Sequence, residues 1–153
     1  MSINLQPLSL IYNQKSGFHS THQEGVYEEL LHILSQHGFE IQLFEMGEIG
    51  NFDQLMQQVL ARHEAAHLSG VVVAAGGDGT LNEVISGMVD SHKKIPLCIL
   101  AAGTVNDFAN YLNIPNSVNG IVEMIKNFNV ISSDVGKINN HHIRSVKKLI
   151  FFF

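Results

Sequence analysis

The hydrophobic positions of this chain fall into short uninterrupted runs and into longer stripes with helical spacing. Residues 71–75 are small or β-branched apolar residues without a charge, which predicts a buried strand at the centre of a parallel sheet. Shorter runs and stripes surround this segment on both sides. Further strands are predicted at Leu8–Tyr12, Phe39–Phe44, Ile95–Leu100 and Val130–Asn139, and helices at Ser20–His37, from Asn51 to near His63, after Thr80, and from Asn116 or Ser117 onward.

Two of these segments allow more detailed predictions. In strand 39–44, Phe39, Ile41 and Leu43 alternate with polar residues, which predicts one buried and one exposed face. In the first helix, Thr21 and Glu24 have the spacing of a capping box at the start, and a glycine at position 38 suits the end.

Composition limits the classes of protein to which the chain can belong. Its 153 residues fit one domain, and 45% hydrophobic with 15% charged residues is typical of a globular protein. The net charge of -5 argues against a nucleic-acid partner. The start of the chain lacks the basic region of a signal peptide, and no apolar run is long enough to cross a bilayer, so we expect a cytoplasmic protein. The single cysteine, Cys98, lies in an apolar run and is predicted to be a buried thiol.

A glycine-rich turn, Gly-Gly-Asp-Gly at residues 76–79, follows the central strand directly. Thr80 and Glu83 then repeat the spacing of a capping box, which predicts the start of a helix. A strand, a tight turn and a capped helix leave free backbone N–H groups at a helix N-terminus, where the helix dipole also favours an anion. The segment therefore predicts a phosphate-binding site.

Two common phosphate-binding motifs do not fit the spacing of this turn. A Walker loop requires a lysine after its glycines and none follows here, and a dinucleotide fingerprint requires a third glycine where Asn82 stands. A tight turn whose glycines serve only backbone geometry is the structural alternative, but it leaves Asp78 unexplained.

A second glycine turn follows the strand predicted at residues 95–100. Gly103, Thr104, Asn106 and Asp107 lie in it, and a helix start is predicted at its end. Because ligands of doubly wound sheets bind at the carboxyl ends of the strands, both turns are expected at one edge of the sheet. A cap and a turn without a ligand would also use these residue types.

The segment His63-Glu64-Ala65-Ala66-His67 matches the zinc motif H-E-x-x-H. However, His63 continues an apolar stripe, His67 falls where the helix must end, and no third ligand follows at a suitable spacing. We therefore interpret the pair as packed or solvent-edge histidines rather than a metal site.

The two turns together resemble a known family. Residues 76–80 with Asn82 and Glu83 look like the nucleotide loop of the diacylglycerol kinase catalytic domain, and NAD kinases and phosphofructokinases share the glycine element more distantly. Residues 13–17, 101–109 and 134–138 resemble three further motifs of that family, with Gln14 and Ala101 in place of prolines. Met46 stands where the family often has threonine.

This resemblance implies an α/β domain with three layers, a Rossmann-like and mostly parallel sheet flanked by helices. It implies the ATP-binding half of a lipid kinase, which transfers the γ-phosphoryl group to the hydroxyl of diacylglycerol or a similar lipid. The implied nucleotide-binding residues are Asn13, Ser16, Gly17, Gly76, Gly77, Asp78, Gly79, Thr80, Asn82, Glu83, Gly103, Thr104, Asn106 and Asp107. Asp78 is the catalytic-site candidate, which either reaches Mg²⁺ or locks loop amides, and the general base is expected outside this chain.

The resemblance ends near residue 140. We interpret residues 1–140 as the nucleotide-binding domain and 141–153 as an atypical tail that results from truncation or a frameshift, with the β-rich C-terminal domain of the family absent. Contact of the tail with an anionic membrane or a partner chain is the alternative. We expect a peripheral association with membranes during lipid phosphorylation, and a homo-oligomer is compatible with the sequence. An NAD kinase-like enzyme and a non-catalytic nucleotide-binding module are the alternative functions.

Overall fold

A computed structural model describes residues 5–13, 24–47, 51–102, 105–139 and 142–152. Its strands are β1 (Gln6–Tyr12), β2 (Phe39–Glu45), β3 (Val71–Gly76), β4 (Leu97–Ala101), β5 (Val130–Asn139) and β6 (His142–Phe152). Its helices are α1 (Glu24–Gln36), α2 (Phe52–Ala65), α3 (Asp78–Ser91), α4 (Asp107–Tyr111) and α5 (Val118–Lys126).

The strands form one sheet in the order β2-β1-β3-β4-β6-β5. Strands β2, β1, β3 and β4 are parallel to one another, β6 is parallel to β4, and β5 is antiparallel to β6. All six residues of β3 are buried between β1 and β4. The apolar run at 71–75 is thus the central strand that the sequence predicts.

Helices cover both faces of this sheet. Val71, Val73 and Ala75 point into a core formed with α1 and α5, whereas Val72 and Ala74 point into a second core formed with α2 and α3. Side chains of one strand alternate between faces, so a central strand that feeds two cores has to be apolar throughout. The three-layer α/β fold is confirmed.

The ends of two helices agree with the sequence. Asn51 caps α2, because its side-chain oxygen accepts a hydrogen bond from the backbone of Gln54 at 2.9 Å, and Ser117 caps α5 through Gly120 at 3.1 Å. Gly38 follows the end of α1 with φ +86°, a conformation that glycine adopts without strain. The proposed cap at Thr21 lies outside the described residues.

The predicted alternation in β2 is wrong at its second half. Leu43 is 47% exposed, and its neighbour Phe44 is buried. Phe39 and Phe44 are five residues apart and therefore face opposite sides of the strand, where they join the two different cores. Because helices flank both faces of the sheet, side chains on either face of β2 can be buried. The alternation of apolar and polar residues therefore does not identify one buried face of this strand.

The sequence predicts no helix or strand in residues 142–152, but in the structure these residues form strand β6. This strand pairs along its length with β5 and lies between β5 and β4. Residues 142–152 are therefore part of the sheet, and their origin by truncation or frameshift stays a prediction.

Candidate functional site

The carboxyl ends of the central strands lie level with one another. Tyr12 in β1 pairs with Ala75 in β3, and Gly76 pairs with Ala101 in β4. The backbone N–H of Ala102 donates to the carbonyl of Gly76 at 3.0 Å. Both predicted turns therefore begin at one edge of the sheet, as expected, although Gly103, Thr104, Ser16 and Gly17 lie outside the described residues.

This edge contains the point at which the chain reverses its direction across the sheet. After β1 the chain continues to α1 on one face and to β2, whereas after β3 it continues to α3 on the other face and to β4. The point at which the two connections part to opposite faces therefore lies between β1 and β3. Open α/β sheets bind their ligands at such a point.

The first turn differs from its predicted geometry. Helix α3 begins at Asp78 with Gly77 as its N-cap, and Gly77 makes no side-chain capping bond. Thr80 is therefore inside the first turn of the helix and not its cap, and it is 8% exposed. The capping-box prediction for Thr80 and Glu83 is wrong, because the small residues at 76–79 allow the helix to start directly after the strand.

Packing excludes a side chain at one glycine of this turn but not at another. A Cβ on Gly76 would lie 2.7 Å from both the Cβ and the Oγ1 of Thr80, so the packing of the protein itself excludes a side chain there. A Cβ on Gly79 would meet no atom within 4 Å, and Gly79 is exposed. Glycine in a helix costs about 1 kcal/mol relative to alanine. Packing explains Gly76, but it does not explain Gly79.

Asp78 joins the two turns. Its Oδ2 accepts a hydrogen bond from the backbone N–H of Asp107 at 3.1 Å, and its Oδ1 accepts one from Phe108 at 3.3 Å. These amides begin α4, where the N-cap Asn106 has left-handed φ (55°) and makes no side-chain capping bond. A residue 29 positions earlier in the sequence thus caps this helix. Of the two roles considered for Asp78, the structure shows the contacts of the loop-locking role.

A cleft of about 390 Å³ begins at Asp78 and runs between α3, α4 and β5. Its lining is mixed: two carboxylates, polar groups and apolar side chains, contributed by Asp78, Leu81, Asn82, Ile85, Phe108, Ser133, Asp134, Val135 and Gly136. Asn82 is therefore brought to the same site as Asp78. Glu83 is not, because it lines a separate groove between α2 and α3 with Phe52 and Met56.

The cleft contains residues that the sequence did not predict to belong to the site. Residues 133–136 of β5 line it, although Asp134, Val135 and Gly136 stand out in the sequence only as a family-like strand motif. The resemblance of this strand to a family motif was the only sign in the sequence that these residues belong to the site. Their proximity to Asp78 depends on the pairing of β5 with β6, which the sequence did not predict.

The first histidine of the H-E-x-x-H motif packs inside the protein, and the second lies at the surface after the end of α2. His63 is fully buried, with Nδ1 2.8 Å from the carbonyl oxygen of Ser69 and Nε2 2.9 Å from the hydroxyl of Ser9. Burial lowers the pKa of its imidazole, which favours the neutral form. His67 follows the helix end with φ 57° and is exposed. Nowhere in the described part of the chain do three potential His, Cys, Asp or Glu ligands form a group that could hold a metal.

Comparisons with known proteins agree on one family. A family model for the diacylglycerol kinase catalytic domain matches residues 7–138. Diacylglycerol kinases of Staphylococcus aureus strains MRSA252 and Newman are each 35% identical over 133 residues, which is 87% of this chain and 40% of theirs. The chain thus spans about 40% of the length of these relatives.

Solved structures give the same fold. The crystal structure of a diacylglycerol kinase from Bacillus anthracis superposes with a TM-score of 0.68 at 23% identity, over 86% of this chain and 43% of the other. A second structure from that organism gives a TM-score of 0.70 over 90% and 45%. At this identity, the likeness establishes the fold alone.

Proposed function

This chain belongs to the diacylglycerol kinase catalytic domain family, and on that premise we propose that it is the nucleotide-binding portion of a lipid kinase. The proposed reaction of the whole enzyme is transfer of the γ-phosphoryl group of ATP to the hydroxyl of diacylglycerol or a similar lipid. ATP and Mg²⁺ are the proposed cofactors.

One observation supports this proposal most directly: the two turns meet at the sheet edge and are joined there by Asp78. Phosphoryl transfer depends mainly on positioning the reactants and on neutralising the charge of the phosphate groups. A site for this reaction therefore needs phosphate-binding groups that are already in position when the nucleotide binds. The exposed Gly79, which no packing contact requires, leaves room for a phosphate to approach the backbone at the start of α3.

Asp78 acts as a positioning residue in this proposal. A carboxylate near a triphosphate repels it, but two backbone N–H groups at a helix N-terminus already stabilise this one. It holds the backbone of Asp107 and Phe108 in place against the first turn. Carboxylate oxygens accept several partners, so coordination of Mg²⁺ directly or through water is compatible with these bonds.

We propose that this chain alone binds nucleotide without turnover. Asp78 has a positioning role, and no other described side chain at the edge is assigned as a general base. The lipid would be met at a membrane surface by the intact protein, through parts beyond the matched stretch. Among the described residues, no helix is long and apolar enough to cross a bilayer.

Isothermal titration calorimetry of the chain with ATP, with and without Mg²⁺, tests the proposal. We expect saturable binding that Asp78→Asn weakens and Glu123→Gln leaves unchanged, because Glu123 is an exposed residue of α5 whose carboxylate pairs with Lys126. Absence of binding under both conditions would refute the proposal.

An activity assay of a full-length protein that contains this chain separates the alternatives. Transfer of labelled phosphate to diacylglycerol supports the lipid kinase, and transfer to NAD supports the NAD kinase-like enzyme, whose glycine element the first turn shares. Nucleotide binding without transfer to either acceptor favours the non-catalytic module.

A further inference from the structure

A buried hydroxyl outside the candidate site is shared by two basic side chains. Ser9 in β1 is 0% exposed, and two successive residues of α2 contact its Oγ. Nη1 of Arg62 lies 3.1 Å from this oxygen, and Nε2 of His63 lies 2.9 Å from it. In the part of the chain that the structure describes, Oγ of Ser9 has no further hydrogen-bond partner. Two side chains that can each carry a positive charge therefore meet at one oxygen.

The position of each hydrogen in this group follows from what its neighbours can donate or accept. The carbonyl of Ser69 can only accept, so Nδ1 of His63, which lies 2.8 Å away, carries a hydrogen. Arginine can only donate, so Ser9 accepts from Arg62. In a neutral imidazole Nε2 is then the acceptor, and Ser9 donates its own hydrogen to it. The bonds thus run in one direction, from Arg62 through Ser9 and His63 to Ser69.

This network connects α2 to two strands of the sheet. Nη2 of Arg62 also donates to the backbone carbonyl of Glu40 in β2, and the side chain of Arg62 is only 15% exposed. Strand β2 is at the edge of the sheet, and β1 is its neighbour there. We call the bonds of Arg62 to Ser9 and to the carbonyl of Glu40 the arginine clasp. The clasp fastens the edge strand to β1 and to α2.

A proton on Nε2 of His63 is incompatible with this pattern of bonds. Nε2 then becomes a donor, and Ser9 has to turn its hydrogen away from the ring, although the described residues offer that hydrogen no other acceptor. The imidazolium and the guanidinium of Arg62 would also place like charges within about 3 Å of the same buried oxygen. Departure of Arg62 relieves both conflicts.

The surrounding charges favour departure of the guanidinium to the surface. The carboxylate of Glu40 is 67% exposed and lies 3.8 Å from Nη2 of Arg62, so it remains available to a released guanidinium. Glu64 and Lys93 form a separate pair at 2.6 Å, with side chains 45% and 40% exposed. None of the described carboxylates pairs with His63, and β1 and β3 contribute no charged side chain. The carboxylates of α3 line clefts that His63 does not reach: Asp78, Glu83 and Asp90.

We propose that this network is a pH-dependent device, in which neutral His63 holds the arginine clasp closed and protonation of His63 releases Arg62 from β1 and β2. Burial lowers the pKa of His63 most, the bond to Ser69 raises it, and the charge of Arg62 lowers it again. The clasp is therefore closed at neutral pH and opens as the pH falls below the ordinary histidine value of about 6.5. The device is independent of the proposed nucleotide-binding function.

Nuclear magnetic resonance of the ¹⁵N-labelled chain tests the proposal. At about pH 7.5, the ring shifts of His63 should report the tautomer with the hydrogen on Nδ1. Line shapes of the Nη signals should show slow rotation of the Arg62 guanidinium at the same pH. On acidification the rotation should become at least about tenfold faster, as expected when hydrogen bonds to a charged group are lost. Its midpoint should coincide with the titration of the His63 ring.

Three variants separate the clasp from other causes of a pH effect. In His63→Gln, which cannot become charged, rotation should stay slow throughout the titration. In Ser9→Ala it should be fast at every pH, while His63 still titrates. Glu40→Gln is the control: it removes only the exposed carboxylate, and slow rotation at neutral pH should persist because the clasp uses the backbone carbonyl of residue 40.

Four results would overturn the proposal. The first is a His63 tautomer with its hydrogen on Nε2 at neutral pH, and the second is a guanidinium whose rotation does not change as His63 titrates. The third is fast rotation in Glu40→Gln at neutral pH, which would assign the order of Arg62 to the surface ion pair. The fourth is release of Arg62 only together with the loss of far-ultraviolet circular dichroism, because the event would then be global unfolding. Thermal melts at neutral pH show which variants are folded.

Discussion

Replacement of Asp78 by alanine should separate the two turns that meet at the sheet edge. The carboxylate is the acceptor for the first two amides of α4, and α4 has no side-chain cap of its own. Without the carboxylate these N–H groups lose this acceptor, and the start of α4 is no longer bonded to the first turn. We therefore expect a small loss of stability and a larger loss of order at the start of α4.

The magnitude follows from the two contacts. Removal of a capping side chain costs about 1 kcal/mol and up to about 2, and the dipole contribution of a carboxylate is smaller at an exposed position such as this one. We expect Asp78→Ala to lower the free energy of unfolding by about 1–2 kcal/mol. For a domain of this size, that corresponds to a melting temperature lower by about 2–8 °C. Asp78→Asn keeps one oxygen acceptor and should lose about half as much.

Urea unfolding followed by circular dichroism measures the loss of stability, and amide hydrogen exchange measures the local effect. Exchange at Asp107 and Phe108 should accelerate in Asp78→Ala by more than the change in global stability accounts for. Glu123→Gln serves as the control, because its ion pair with Lys126 is exposed and contributes little. If exchange at both amides is unchanged in Asp78→Ala, the role of Asp78 as the link between the turns is refuted.

The same variant has a functional consequence in a complete enzyme. A loss of about 1–2 kcal/mol is small against the 5–15 kcal/mol that stabilises a typical domain, so the fold should persist. Turnover should nevertheless be abolished, because the two turns that we propose to bind phosphate are no longer joined by the Asp78 carboxylate. Near-normal activity would remove Asp78 from the mechanism.

Three further predictions concern the core and the glycines. Stability should fall as pH falls below about 6.5, by up to about 1.4 kcal/mol per pH unit, because burial lowers the pKa of His63 and the unfolded chain therefore takes up a proton at a higher pH than the folded protein. Urea titrations at pH 5–8 should show a shallower dependence of stability on pH for His63→Gln. Gly76→Ala should destabilise by about 1–3 kcal/mol through its contact with Thr80, whereas Gly79→Ala should be neutral or stabilising in thermal melts and yet weaken nucleotide binding in calorimetry. The Cys98 thiol, whose pKa burial raises to about 12, should react with a disulfide reagent only as fast as the protein unfolds, and rapid labelling in native buffer would contradict its burial.

The central strand and the position of the first turn directly after it were predictable because local sequence determines them, although the geometry of that turn was not. An uncharged β-branched run has few alternatives to a buried parallel strand, and glycines beside an aspartate exclude most structures other than a tight turn. The cap of α2 at Asn51 and that of α5 at Ser117 are equally local, since each depends on one side chain and one amide three residues later. These predictions required no knowledge of the rest of the fold.

The errors have non-local causes. Thr80 has the spacing of a cap, but α3 already begins at Asp78 and Thr80 packs in its first turn, where a side chain on Gly76 would collide with it; spacing alone does not report this packing. The exposure of Leu43 depends on how far the covering elements extend over an edge strand. Strand β6 depends on long-range pairing with β5, and the basic and aromatic composition of residues 142–152 does not specify a partner. The interpretation of His63 as a packed histidine agrees with the structure, but its partner Ser9 in β1 was not predicted, because that contact is also non-local.

The charged side chains that line the cleft favour a phosphate site in which backbone amides, rather than basic side chains, make the contacts. The described lining of the cleft includes two carboxylates, Asp78 and Asp134, and neither lysine nor arginine. In the proposed nucleotide site, these described side chains do not attract a triphosphate by charge, and we expect the backbone amides at the start of α3 and a cation that accompanies the nucleotide to contribute positive potential. The bonds of Asp78, the first residue of α3, to the amides of Asp107 and Phe108 join the start of α3 to the start of α4. In the proposed phosphate site, Asp78 thus has a positioning role, because its carboxylate joins the two turns.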